Sequence, residues 1–340
     1  MEARARVPLK PHVASAAPRH GKLARMSKTT MPRRRRVLGG LAALAAGAAP
    51  GWLAPSTAAA QGSPALPLRA IPSSRERLPA VGLGTWITFN VGRDAQLREE
   101  CTRVVEAFLA GGGRLIDSSP MYGSAQEVVG QALRTLGARD RVFAADKVWS
   151  SSGRQGPAQI DESRAFWGLP RFDLLQVHNL LAWEEHLPLL LRMKAQGRLR
   201  YVGVTTSEGR RHAEMERVMA GKPLDFVQLT YNPVDREAEQ RLLPLAAERG
   251  MGVIVNRPFQ QGALLRRLER HPLPKWAGPE LDATSWAQLV LKFIVAHPAV
   301  TCVIPATTQV AHVRENLAAA GGRLPDAALR RRIAQAVQEL

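Results

Sequence analysis

Asp117, Tyr122, Lys147 and His178 supply a carboxylate, a phenol, an amine and an imidazole, at or just past the carboxyl ends of three apolar runs. These are the side chains needed to hold a proton ready beside a carbonyl. A phenol near its ordinary pKa of about 10 donates sluggishly at neutral pH, and a nearby ammonium stabilises the anion and lowers that value. Asp117 can keep Lys147 charged and oriented, and His178 can hydrogen-bond an oxygen on which negative charge develops. No member of the set donates electrons, so a reduction here requires an organic hydride carrier. Taken singly, each has a plain structural explanation: a solvated strand end for Lys147, a hydrogen-bonded histidine for His178, a helix cap for Asp117, an exposed loop aromatic for Tyr122. Convergence on one face of a fold is what would make them a site.

The elements that must position them follow a regular rhythm. Apolar runs of strand length, Val81 to Thr85, Arg114 to Asp117, Val142 to Val148, Phe172 to His178, Tyr201 to Thr205, Phe226 to Tyr231, Gly252 to Val255 and Cys302 to Pro305, alternate with amphipathic helical stretches such as Gln96 to Ala110, Ala125 to Leu136, Glu184 to Gln196, Ala238 to Arg249 and Trp286 to His297. Successive strand ends lie 25 to 32 residues apart from Thr85 to Asn256, one βαβ repeat each. The last step is longer and carries Pro272 and Pro274 in an extra loop. Eight such units in about 250 residues predict an α/β fold, a closed (β/α)8 TIM barrel with all strand carboxyl ends on one face. Leu68 to Ile71 and Arg77 to Ala80 predict an N-terminal β-hairpin, and Asp326 to Gln338 a C-terminal extra helix. A doubly wound sheet is the runner-up, but Gly82-Leu83-Gly84 lacks the third glycine and the helix of a dinucleotide fingerprint.

The chain of 340 residues is 45% hydrophobic and 22% charged, a globular composition. Its formal charge of +18 is concentrated: residues 1–36 hold eleven Arg or Lys against the single Glu2, and residues 37–60 hold no charge. Arg33 to Arg36 form a basic region, Val37 to Ala49 an uncharged one, and Ala58-Ala59-Ala60 a small-residue cleavage motif. The paired arginines before Val37-Leu38 resemble a twin-arginine signal. Residues 1–60 are thus expected to be an N-terminal extension with a cleavable signal recognised by the twin-arginine (Tat) export machinery, and residues 61–340 an exported, periplasmic barrel. The apolar stretch is shorter than the roughly 20 residues of a membrane span, so no stable membrane anchor is expected. Cys101 and Cys302 are read as small buried apolar residues rather than a disulfide framework.

Gly82-Leu83-Gly84-Thr85-Trp86, Ile116-Asp117 through Tyr122-Gly123, Asp146-Lys147-Val148-Trp149, Gln176-Val177-His178, and Ile304-Pro305 leading to Glu315-Asn316 resemble, in order and spacing, the aldo/keto reductases over almost all of residues 65–340. The resemblance implies the barrel, a catalytic tetrad at Asp117, Tyr122, Lys147 and His178, and NADPH-dependent reduction of an aldehyde or ketone with Tyr122 as proton donor. It also implies an extended cofactor across the barrel mouth and a small-molecule carbonyl substrate; a monomer is expected. Gln228 matches the residue that holds the nicotinamide amide, and Thr205-Thr206 stand where a Ser-Asn pair is usual. Asn256, followed by Arg257 and Pro258, replaces the aromatic that stacks on the nicotinamide. The usual 2′-phosphate lysine and arginine align with Ala306 and His312; Arg314, or Thr307, Thr308 and the helix they open, can substitute. NADP(H) is therefore the family expectation, with NAD(H) open. Trp86, Trp149 and Asn179 match substrate-pocket positions, and Ser150 to Pro157 and Gln260 to Pro279 are loops expected to set specificity.

A second reading, a cofactor-binding sensor or subunit with little turnover, is motivated by Asn256. Nucleic-acid binding is suggested by charge alone, and no basic-aromatic motif supports it. There is no G-x-S-x-G, no H-E-x-x-H and no cysteine pair at zinc spacing, so neither a hydrolase nor a metal centre is expected.

Overall fold

The computed structural model describes residues 66–340; the expected extension, twin-arginine-like signal and cleavage motif lie outside the described residues. The chain opens with an antiparallel hairpin, β1 (Leu68–Ala70) and β2 (Arg77–Pro79). Eight parallel strands follow: β3 (Leu83–Gly84), β4 (Leu115–Asp117), β5 (Phe143–Val148), β6 (Leu174–Val177), β7 (Tyr201–Thr205), β8 (Phe226–Thr230), β9 (Gly252–Asn256) and β10 (Cys302–Val303). Neighbours in sequence are neighbours in the sheet, and the ends meet through bridges from Val81 to Val303 and from Gly84 to Ala306, which close the (β/α)8 barrel. The β3 and β10 strands are shorter than expected because Pro305, with no N–H, interrupts the ladder where the closing strands meet.

Between the strands run α1 (Ala95–Ala110), α2 (Ala125–Thr135), α3 (Gly156–Trp167), α4 (Trp183–Ala195), α5 (His212–Gly221) and α6 (Leu242–Glu248). After β9 come α7 (Ala263–Leu268), α8 (Ala277–Leu281) and α9 (Trp286–Val295), and after β10 α10 (Val310–Ala318) and α11 (Ala327–Gln338). Asp94, Ser285 and Asp326 begin α1, α9 and α11 by accepting the Leu97, Gln288 and Leu329 N–H groups. Within Gln260 to Pro279, expected as a loop, α7 forms because Leu264 and Leu268 are spaced four apart and bury one of its faces, while Pro272 and Pro274 lie in the non-helical stretch between α7 and α8. Among the described residues, no helix is long and apolar enough to cross a membrane.

The period of two along each strand builds two cores. Outward side chains pack against the helices, while Leu115, Phe143, Ala145, Leu174, Tyr201, Phe226, Ile254 and Cys302 fill the barrel interior. Ile71 and Leu78 of the hairpin join that interior cluster and seal its amino-terminal end. Continuing the same inward faces toward the carboxyl end gives Asp117, Lys147, Gln176, Thr205, Gln228 and Asn256. The barrel is apolar below and polar above.

One close approach of the outer layer is demanding. A Cβ on Gly130 of α2 would lie 1.9 Å from the Phe166 carbonyl oxygen of α3, so the helices pack backbone to side-chain-free backbone. Gly130→Ala is expected to cost about 1–3 kcal/mol despite alanine's better helix propensity. Chemical unfolding checks it, and a variant as stable as the parent would show that the helices separate freely.

Candidate active site

Asp117 is the last residue of β4, and its buried carboxylate sits at the centre of the barrel mouth. Lys147 of β5 donates to Asp117 Oδ2 at 2.5 Å and to the Ser118 carbonyl at 2.8 Å. Gln228 Nε2 donates to Asp117 Oδ1 at 2.9 Å, and Gln176 Nε2 approaches the same oxygen at 3.4 Å. Burial opposes the Lys147 charge, but Asp117 and the neighbouring Tyr122 oxygen hold its pKa above the ordinary lysine value. The fully buried ammonium is thereby kept protonated.

Ser119 then turns the chain into a 3-10 turn, Pro120–Tyr122, that brings Tyr122 back over the mouth. The Lys147 ammonium lies 5.0 Å from the centre of the Tyr122 ring, and the His178 ring meets that ring edge-on with centroids 5.7 Å apart. Lys147 lowers the phenol pKa as expected, but burial of the phenol outweighs it and pushes Tyr122 up to about 12. His178 is 4% exposed, and burial followed by the Lys147 charge holds its pKa well below 6.5, so the ring is neutral. The four side chains expected to act together do gather on one rim.

A cavity of about 650 Å³ opens at this rim, within the usual range of small-ligand sites. Its lining includes Trp86, Tyr122, His178, Asn179, Thr205, Gln228, Asn256, Arg257, Thr307, His312, Glu315 and Asn316. Asn179 sits in the left-handed region at φ 52°, which an Asn tolerates, and its N–H donates to Thr205 Oγ1 at 2.9 Å. Asn256 receives the Thr230 hydroxyl at 2.7 Å and donates to the Thr206 carbonyl at 2.9 Å, an amide network in place of an aromatic face. His312 Nδ1 lies 3.3 Å from Thr307 Oγ1.

Four expected cofactor or substrate positions fall elsewhere. Trp149 does not line the cavity and is 40% exposed, because the chain leaving β5 is turned away where the Trp149 backbone N–H donates to the Gln159 side-chain carbonyl of α3 and its carbonyl accepts from the same amide. Thr308 is exposed beyond the rim, and Arg314 is absent from the lining. Thr206 lies just behind the wall, its buried Oγ1 without a partner among the described residues.

The structure also brings in residues the sequence did not single out. Glu208 pairs at 2.8 Å with Arg257, a residue already expected at the cofactor, which lies 5.8 Å from the Trp86 ring centre, so that the pair bridges the loops after β7 and β9 across the mouth. Ser119 Oγ lies 2.7 Å from His178 Nδ1. Ser119 stood inside the Asp117–Tyr122 motif and could have been noticed there; nothing in the sequence marks Glu208 as the partner of Arg257.

A closed parallel barrel with a buried lysine–aspartate pair beneath a tyrosine and a histidine places the chain among α/β barrels with a cleft at a polar mouth. The family model described as "Aldo/keto reductase family" matches residues 80–332, and this chain belongs to that family. It is similar to methylglyoxal reductase YeaE of Escherichia coli K12, 31% identical over 249 residues, covering 71% of this chain and 85% of the relative. The NADH-specific methylglyoxal reductase of the same organism is 27% identical over 324 residues, covering 77% and 96%. Among solved structures, an aldo-keto reductase from Klebsiella pneumoniae in complex with NADPH is 25% identical with a TM-score of 0.66, over 79% of this chain and 94% of that one.

Proposed function

We propose that this protein is a NAD(P)H-dependent reductase of small aldehydes or ketones, with Tyr122 as proton donor. The observation that carries the reading is the buried Lys147–Asp117 pair at 2.5 Å beneath the Tyr122 ring, a costly arrangement with no structural need that apolar side chains could not meet. The similarity to methylglyoxal reductases and to an NADPH complex supports the same chemistry. NADP(H) is the leading cofactor and NAD(H) the alternative, given the NADH-specific relative and the Ala306 and His312 positions.

The cleft's donor set fits a dinucleotide. Among the described residues, Gln228 of the lining has at its Oε1 only a 3.4 Å contact from Asn256 Nδ2, and the buried Thr206 Oγ1 has no partner. Thr205, Gln228 and Asn256 would hold the nicotinamide end. Thr307, His312, Glu315 and Asn316 would hold the adenosine end, with the N-terminus of α10 free of a side-chain cap. The bound cofactor supplies the hydride.

The protein's own residues manage the proton. Tyr122, protonated at neutral pH because its pKa lies at about 12, hydrogen-bonds the carbonyl oxygen and gives it a proton as hydride arrives at carbon. Lys147 stabilises the resulting phenolate, Asp117 holds Lys147 in place, and neutral His178 steadies the same oxygen. Trp86 and Asn179 would border the substrate.

Full-length protein mixed with NADPH or NADH and a panel of short aldehydes, methylglyoxal included, is expected to show substrate-dependent loss of reduced-nicotinamide absorbance. Tight binding of either cofactor with no such loss across the panel would turn the reading to a sensor.

A further inference from the structure

We propose that Ser119 is a positioning residue that fixes the tautomer of His178, putting the single imidazole proton on Nε2, the nitrogen available to the cavity; this rests on His178 acting as the donor to the substrate oxygen.

Ser119 is completely buried, so its hydroxyl has no bulk water to turn to. Its Oγ accepts the Met121 N–H at 3.2 Å, the bond that starts the turn carrying Tyr122. One hydroxyl proton and one lone pair remain. Among the described residues, the other polar atom hydrogen-bonded to Oγ is His178 Nδ1, at 2.7 Å. If Nδ1 carried the ring proton, Oγ would accept twice and its own proton would be buried with no acceptor, which buried hydroxyls avoid. With the proton on Nε2, Ser119 donates to Nδ1 and every group is paired.

The neutral ring has one N–H to place, and the donors around Ser119 decide where it goes. Nε2 makes no hydrogen bond within the described residues, and His178 lines the cavity beside Tyr122. The resulting Nε2–H points a donor at the developing alkoxide, whereas the opposite tautomer would face it with a lone pair. Ser119 lies two residues after Asp117 and three before Tyr122. A single turn therefore aims the phenol and sets the imidazole proton.

Proton-coupled nitrogen NMR of protein carrying ring-labelled histidine reads the tautomer directly, with the His178 signals assigned by their loss in His178→Gln. Wild type is expected as the Nε2–H form, Ser119→Ala as a mixture of both forms, and Ser119→Thr as the wild-type form. Turnover is expected to fall roughly 10- to 100-fold in Ser119→Ala, in kcat rather than KM, with cofactor binding unchanged and Ser119→Thr restoring the rate. A wild-type His178 protonated on Nδ1, or a Ser119→Ala protein that keeps the pure Nε2–H form, would overturn the proposal. The tautomer is read without turnover, so an inert protein with the proton on Nε2 sinks the reductase reading and leaves the assignment of Ser119 standing.

Discussion

Tyr122→Phe is expected to lower kcat for carbonyl reduction by roughly 10²–10⁴-fold, the span attached to a general acid, while reduced cofactor binds as before. The ring remains, with its edge contact to His178 and its place over Lys147, so the pocket keeps its shape. What disappears is one oxygen and one proton. The pH profile adds an independent check. With Tyr122 held at about 12 and His178 well below 6.5, neither group titrates between pH 7 and 8, and the reduction rate should be flat there. The reverse reaction returns a proton to the phenolate and so should rise with pH. Stopped-flow turnover with binding measured by fluorescence reads both quantities. A Phe variant within threefold of wild type would remove Tyr122 from the chemistry and leave water or His178 as the proton source.

Lys147→Met should cost about 3–5 kcal/mol of stability, because it leaves a buried carboxylate without its cation. Asp117 would retain only the amides of Gln228 and Gln176. Adding Asp117→Asn removes the stranded charge and is expected to recover most of the loss, whereas activity stays absent in both variants. Denaturant unfolding, beside turnover, separates the two effects. A single variant as stable as wild type would mean that the pair is open to water, contrary to a lysine with no exposed surface.

The sequence carried much of this. Regular spacing of strand ends gives eight βα units, and right-handed crossovers put those ends on one face whatever the details, so Asp117, Lys147 and His178 had to share a rim. The hairpin and the last helix were legible from apolar runs and turn residues. Less legible were Trp149, turned out by Gln159, and Ala263 to Leu268, where a helix formed inside an expected loop because Leu264 and Leu268 found a core to bury against.

Residue order alone thus determined the barrel, the rim and the chemical types on it, since periodicity and chain direction are local properties. Only the tertiary structure decided the proton affinities and the partners. The rise of Tyr122 to about 12 depends on how deeply its phenol is buried, the Arg257–Glu208 bridge on two loops meeting across the mouth, and the His178 tautomer on a serine 59 residues away. Desolvation and hydrogen-bond pairing are set by everything that packs around a group, and no spacing along the chain encodes them.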